Sequence, residues 1–168
     1  TRIAAHNPKC IGVKVDDISV SAAIAAIAKL ARDRKKSHYV VTVNSEFVML
    51  AARNQRFAEI LNGADLALSD GMGVVLAKLI FGGKVRDRIT GVDLVEKLCA
   101  ECAKGAIGVG FLGGFGEVAE EVAKRQIAVN PGLRVVIAEP GDEAMGRNLR
   151  LGRRFSRIGQ VGVLFVAY

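Results

Sequence analysis

The polar residues of this 168-residue chain that could do chemistry fall where strands would end. Asp70 follows the apolar run Leu66-Ala-Leu-Ser69 and opens Asp70-Gly-Met-Gly73. A carboxylate there, at the mouth of the sheet, is placed to act as a general base. A helix-capping aspartate would have the same sequence, so both readings stand. Gly71 and Gly73 permit a tight turn and close approach of backbone to a ligand. Thr42 and Asn44 close the run Tyr39-Val-Val-Thr-Val43. Asn44 reads equally well as a helix cap, whereas the Thr42 hydroxyl, inside an apolar run, needs a partner or a ligand. Arg86 and Arg88 flank Asp87 in a loop between helices. Two guanidinium groups suit bidentate binding of a diphosphate, and a solvated charged loop is the plain alternative.

A second cluster is Gly108-Val-Gly-Phe-Leu-Gly-Gly-Phe-Gly116. Gly113, Gly114 and Gly116 lead into a helix whose N-terminus would accept an anion. The spacing is not the GxGxxG of dinucleotide folds, although Glu139 follows the next strand, so NAD stays open as an alternative. Other chemistry is struck out by inventory. Only His6 and His38 are present, and the chain has no GxSxG, no GxxxxGK[ST] and no Asp-x-Asp. Cys99-Ala-Glu-Cys102 is formally CxxC, but it lies in a helical pattern without a second pair and reads as buried small apolar residues. Three cysteines cannot all pair, which fits a reducing compartment better than a disulfide framework.

The elements that must carry these residues alternate. Ile11, Val13 and Val15 read as a short strand, and Ser19 caps a helix with Ile24, Ile27 and Ala31 on one stripe. Strands follow at 39–43, 66–69, 107–112, 134–138 and 161–166, with helices at 45–52, 55–62, 74–81, 92–104, 117–129 and 143–158. Apolar strands alternating with helices imply a Rossmann-like α/β fold, a mostly parallel sheet with helices on both faces. The expectation is a single domain over residues 1–168. With 51% hydrophobic and 24% charged residues the chain is globular in composition, and its net charge of +7 favours anionic partners. The start TRIAAHNPKC lacks the apolar core of a signal peptide, and no run approaches the roughly 20 apolar residues of a membrane span.

Three pieces in order, Thr42-Val-Asn44, Ala64-Asp-Leu…Ser69-Asp-Gly-Met-Gly73 and Arg88-Ile-Thr-Gly-Val-Asp93, together with IGVGFLGG and the closing VGVLFVAY, resemble the WecG/TagA/CpsF glycosyltransferase family. The resemblance covers roughly residues 10–138 and resumes at the last strand. It implies an inverting transferase with no metal or other cofactor. Such an enzyme moves N-acetylmannosamine or a related sugar from a UDP-sugar donor to a polyprenyl-diphosphate-linked N-acetylglucosamine. It would act in cell-wall or surface polysaccharide synthesis, such as teichoic acid, in the cytoplasm as a peripheral protein on the inner face of the membrane. By the same resemblance Asp70 matches the general base, Thr42 and Asn44 lie beside the donor, and Arg88 holds the departing diphosphate. Gly71, Gly73, Gly113 and Gly114 border the nucleotide.

Members of the family continue past the last strand into a Gly-x-Pro-x-Gln-Glu loop and a basic appendage, whereas this sequence stops at Tyr168. Weak UDP binding and poor turnover are therefore expected of the chain alone, and exposed apolar surface is expected to favour a homo-oligomer. Arg147, Arg150, Arg153, Arg154 and Arg157 recur at helical spacing. They form either a solvated face or a contact for anionic lipid. Two other classes are weighed: a non-catalytic binder of nucleic acid or anionic surfaces, and a nicotinamide-dependent oxidoreductase. With 5% aromatic residues and no Trp, stacking platforms for nucleic acid are scarce, and no nucleic-acid partner is expected.

Overall fold

The computed structural model describes residues 9–10, 12–33, 35–80, 87–141 and 161–167. The arginine-rich stretch 147–157, the proposed helix at 143–158, Arg86 and His6 lie outside the described residues. The chain is α/β with parallel strand pairing, as its alternating pattern requires, and it groups into two compact units, Thr1–Leu94 and Val95–Tyr168.

In the first unit, β1 (Lys9–Cys10) and β2 (Val13–Lys14) pair antiparallel. One continuous strand from Ile11 to Val15 is the sequence expectation; the structure corrects it to two short strands with a turn at Gly12, whose φ of 84° is open to glycine without strain. The alternation itself holds, with Val13 and Val15 buried and Lys14 half-buried between them. Past β2, Asp16 takes both backbone groups of Ala67: its N–H donates to the Ala67 carbonyl at 2.8 Å, and its Oδ2 accepts from the Ala67 N–H at 2.8 Å.

Ser19 caps α1 (Val20–Leu30) as its position predicts, accepting from Ala22 N–H. Next come β3 (Val40–Val43), α2 (Ser45–Arg53), α3 (Gln55–Gly63), β4 (Leu66–Ser69) and α4 (Met72–Ile80). Asn54 caps α3 by accepting from Phe57 N–H at 3.0 Å, and Phe57 meets Phe47 edge to face at 5.4 Å. β3 and β4 run parallel, Val40 opposite Leu66 and Val43 opposite Ser69. All four β4 residues are buried, the mark of a strand covered on both faces. Val13, Val15, Val43, Val48, Leu61 and Val74 form the core around it.

α5 (Gly91–Lys104) begins in the first unit and ends in the second. The second unit then holds β5 (Val109–Gly113), α6 (Val118–Val129), β6 (Val135–Glu139) and β7 (Val163–Ala167). Its sheet is parallel in the order β6-β5-β7, and central β5 is buried at every position. Phe111 stacks on Phe165 at 5.4 Å across the β5–β7 ladder. Gly110 leaves room for its neighbours, since a Cβ there would come within 2.6 Å of Ile137 and 2.8 Å of Leu164.

Candidate active site

Register brings the first cluster together. Val43 lies opposite Ser69, so Asn44 and Asp70 leave the carboxyl ends of β3 and β4 side by side, and Asp70 N–H extends the ladder by donating to Val43 O at 2.8 Å. In parallel α/β sheets ligands bind beyond this end of the strands. Asn44 caps α2: its Oδ1 accepts from Phe47 N–H at 2.8 Å. The capping reading therefore holds, and the side-chain NH2 has no hydrogen-bond partner among the described residues. Thr42 is half-buried opposite Leu68, and its hydroxyl makes no hydrogen bond among the described residues.

The turn after β4 needs its glycines. Gly71 has φ 88°, a conformation costly for other residues. A Cβ on Gly73 would strike the Ser45 hydroxyl and force it to turn away, so the bare backbone at position 73 eases the close approach of the first turns of α2 and α4. Asp70 is half-buried, and its Oδ2 accepts from the Gly91 N–H at 3.3 Å.

Residues 87–91 form a strap across the end of β4. Buried Ser69 holds it twice: its hydroxyl donates to Asp87 O at 3.1 Å, and its carbonyl accepts from Ile89 N–H at 2.9 Å. Asp87 Oδ2 accepts from Val20 N–H at 2.9 Å, tying the strap to the start of α1, while Ile89 is fully buried. Arg88, between two anchored residues, is left exposed and makes no ion pair among the described residues. Thr90 caps α5, accepting from Asp93 N–H at 3.1 Å and donating to Asp93 Oδ2 at 2.6 Å. The run Arg88-Ile-Thr-Gly-Val-Asp93 is thus an anchor, a cap and an amide for Asp70, with one cation presented outward. Ser69, Asp87, Ile89, Thr90 and Gly91 were not assigned roles from sequence. The T-x-x-D spacing and the lone isoleucine among polar residues were the available signals.

Thr42, Asn44, Asp70, Gly71, Gly73 and Arg88 all lie in the first unit. Gly113 and Gly114 form a separate feature in the second unit, and their conformations have local causes. Gly113 (φ 129°) pairs with Ala167, whose carbonyl oxygen a Cβ would strike. Gly114 (φ 72°) accepts from Gly141 N–H at 2.9 Å and would press a Cβ to 2.9 Å from Val118. The α6 N-terminus that follows has no side-chain cap, but Glu117, Glu120 and Glu121 gather there and oppose an anion.

The remaining titratable groups stand apart. Cys99 and Cys102 are buried, and burial, then the neighbouring Cys102, pushes the Cys99 thiol up to about 12, so it stays a protonated packing residue. Among the described residues no group of three His, Cys, Asp or Glu side chains is placed to hold a metal ion.

A carboxylate and an amide side by side at the carboxyl ends of two parallel strands, with an exposed arginine on the strap that crosses them, define the class: an α/β protein with a polar cluster beyond its sheet. The glycosyl transferase WecG/TagA/CpsF family matches residues 8–167, and the chain belongs to that family. A relative from Bacillus spizizenii, N-acetylglucosaminyldiphosphoundecaprenol N-acetyl-beta-D-mannosaminyltransferase, is 32% identical over 103 residues, covering 61% of this chain and 40% of the relative. Proteins of the same name from Bacillus subtilis and Staphylococcus aureus are 23% and 28% identical, over 61% and 56% of this chain and 40% and 36% of their own lengths. The chain thus spans about two fifths of the curated relatives it matches.

Proposed function

We propose that this chain carries the catalytic base and the leaving-group cation of an inverting, metal-independent N-acetylmannosaminyltransferase. The donor in this reading is a UDP-sugar. The acceptor is a polyprenyl-diphosphate-linked N-acetylglucosamine at the inner face of the cell membrane, and the product enters wall-polymer synthesis such as teichoic acid. The observation that carries the reading is Asp70, fixed by the Gly91 amide beside the strap that presents Arg88. Asp70 accepts the proton of the acceptor hydroxyl as its oxygen attacks the anomeric carbon. The bond from that carbon to the UDP oxygen breaks on the opposite face, which inverts the centre. Arg88 takes up the charge that develops on the departing diphosphate. The Thr42 hydroxyl and the Asn44 NH2 offer hydrogen bonds to the sugar, and the Gly71–Gly73 turn lets it approach the backbone.

Calorimetric titration of UDP, with NAD⁺ as the control, tests it. The expected result is UDP binding that survives EDTA, weakens at least about tenfold in Arg88→Ala, the loss of one charge-assisted bidentate contact, and has no NAD⁺ counterpart. NAD⁺ binding without UDP binding, or UDP binding abolished by EDTA, would overturn it.

A further inference from the structure

The helix that starts at the candidate site turns an apolar face to solvent. α4 buries Val74 in the core, yet Met72, Leu76, Leu79 and Ile80 are between 53% and 70% exposed. At about 100° per residue these four fall within an arc of about 100° opposite Val74. Val92, beside the Gly91 amide that holds Asp70, is 71% exposed as well. Large apolar side chains grouped on one surface mark an interaction site rather than ordinary scatter. No described helix is long and apolar enough to cross a membrane, so this face can lie along a bilayer but not span it.

We propose that the α4 face seats the protein on an anionic bilayer, with Met72, Leu76, Leu79 and Ile80 in the boundary between head groups and acyl chains. This rests on the transferase reading, which requires the site to reach a lipid-linked acceptor. Charge selects the bilayer over a second copy of the chain. Two copies that each carry a net charge of +7 repel as they approach, whereas anionic lipid attracts that charge, and exposed Arg88 lies on the strap beside Asp70. Seating α4 this way holds Asp70, two residues before its start, at the depth where a lipid diphosphate carries its sugar.

The test pellets the whole chain with vesicles of phosphatidylethanolamine and phosphatidylglycerol in equal parts, comparing wild type with Leu76→Gln/Leu79→Gln. Both positions are exposed and glutamine keeps helix propensity, so the fold persists. Partitioning is expected to fall at least about tenfold, the order for withdrawing two leucines from an apolar environment. In Leu76→Trp, the one tryptophan of a chain that otherwise has none should shift its emission to the blue on the same vesicles. Equal binding by the two proteins, or an emission that does not move, overturns the proposal. So does a wild-type dimer in sedimentation velocity that the double substitution dissociates while vesicle binding is unchanged. UDP titration of the same variant reads the site separately, so failure of the seating and failure of the transferase reading are told apart.

Discussion

Asp70 and Gly113 show how differently two single residues can matter. Asp70→Asn keeps an oxygen for the Gly91 amide, so the strap and the fold should survive while the proposed base is lost. Turnover of UDP-N-acetylmannosamine, read as UDP release with a lipid-linked acceptor, should fall about 10²–10⁴-fold. UDP affinity should stay within about twofold in the same variant, because the base does not bind the leaving group. Comparable turnover in Asp70→Asn and wild type would remove Asp70 from the chemistry. Gly113 is a matter of space. Alanine there meets both a left-handed backbone and the Ala167 carbonyl, whereas alanine at Gly116 (φ 58°) meets only the backbone cost. Gly116→Ala should lose about 1–2 kcal/mol, and Gly113→Ala distinctly more, since backbone cannot give way as a side chain can. Thermal unfolding by circular dichroism checks the order; equal melting points would refute the steric argument.

At the scale of elements, helix starts were legible because their caps are local. Ser19 and Asn44 sit one residue before their helices and accept from the first turn. Replacing Asn44 by alanine should cost about 1 kcal/mol, read as a lower denaturant midpoint at unchanged slope. The Gly12 turn and the 87–91 strap were not legible. Gly12 fits an alternating strand equally well, and the strap is held by bonds to Ser69, eighteen residues before Asp87 in sequence. Another long-range device ties the opposite, amino ends of β3 and β4. His38 Nδ1 lies 3.0 Å from Asp65 and Nε2 3.1 Å from Asp33. Hydrogen bonds to Asp65, then Asp33, raise the His38 pKa above its ordinary 6.5. The Asp33 carboxyl is lowered by the Lys35 N–H and then by His38. At Asp65 burial pushes upward, but His38 and the Tyr39 N–H outweigh it and the net shift is down. The folded state therefore holds the histidine proton more tightly than the unfolded chain. That stability is complete below about 6.5 and is lost as pH rises through the raised value. The carboxylates contribute in the other direction: their share is present above about 3.8 and is lost as pH falls through their lowered values. Melting temperature against pH should thus decline on the alkaline side of 6.5, and His38→Gln should flatten that decline; an unchanged slope would refute the linkage.

For the whole molecule, alternating apolar strands and helices were enough to give the α/β class and parallel pairing. Nothing in composition marks the boundary between the two units, which falls inside α5 at Leu94–Val95, because a helix pattern runs on unbroken there. Charge was legible from the start, and the charge of the whole chain makes the last prediction. A net charge of +7 acts on an anionic vesicle over the Debye length, about 30 Å at 0.01 M salt and about 3 Å at 1 M. The apolar contact of the α4 face is not screened. Binding to phosphatidylglycerol-containing vesicles should therefore weaken as salt rises and then level off at a residual set by the apolar face. Vesicles of phosphatidylcholine alone should show that residual at every salt concentration, because no surface charge is left to screen. In Leu76→Gln/Leu79→Gln the residual should vanish while the salt-dependent part remains. Salt dependence that runs to zero in wild type would mean that charge alone holds the protein to lipid and that α4 faces water.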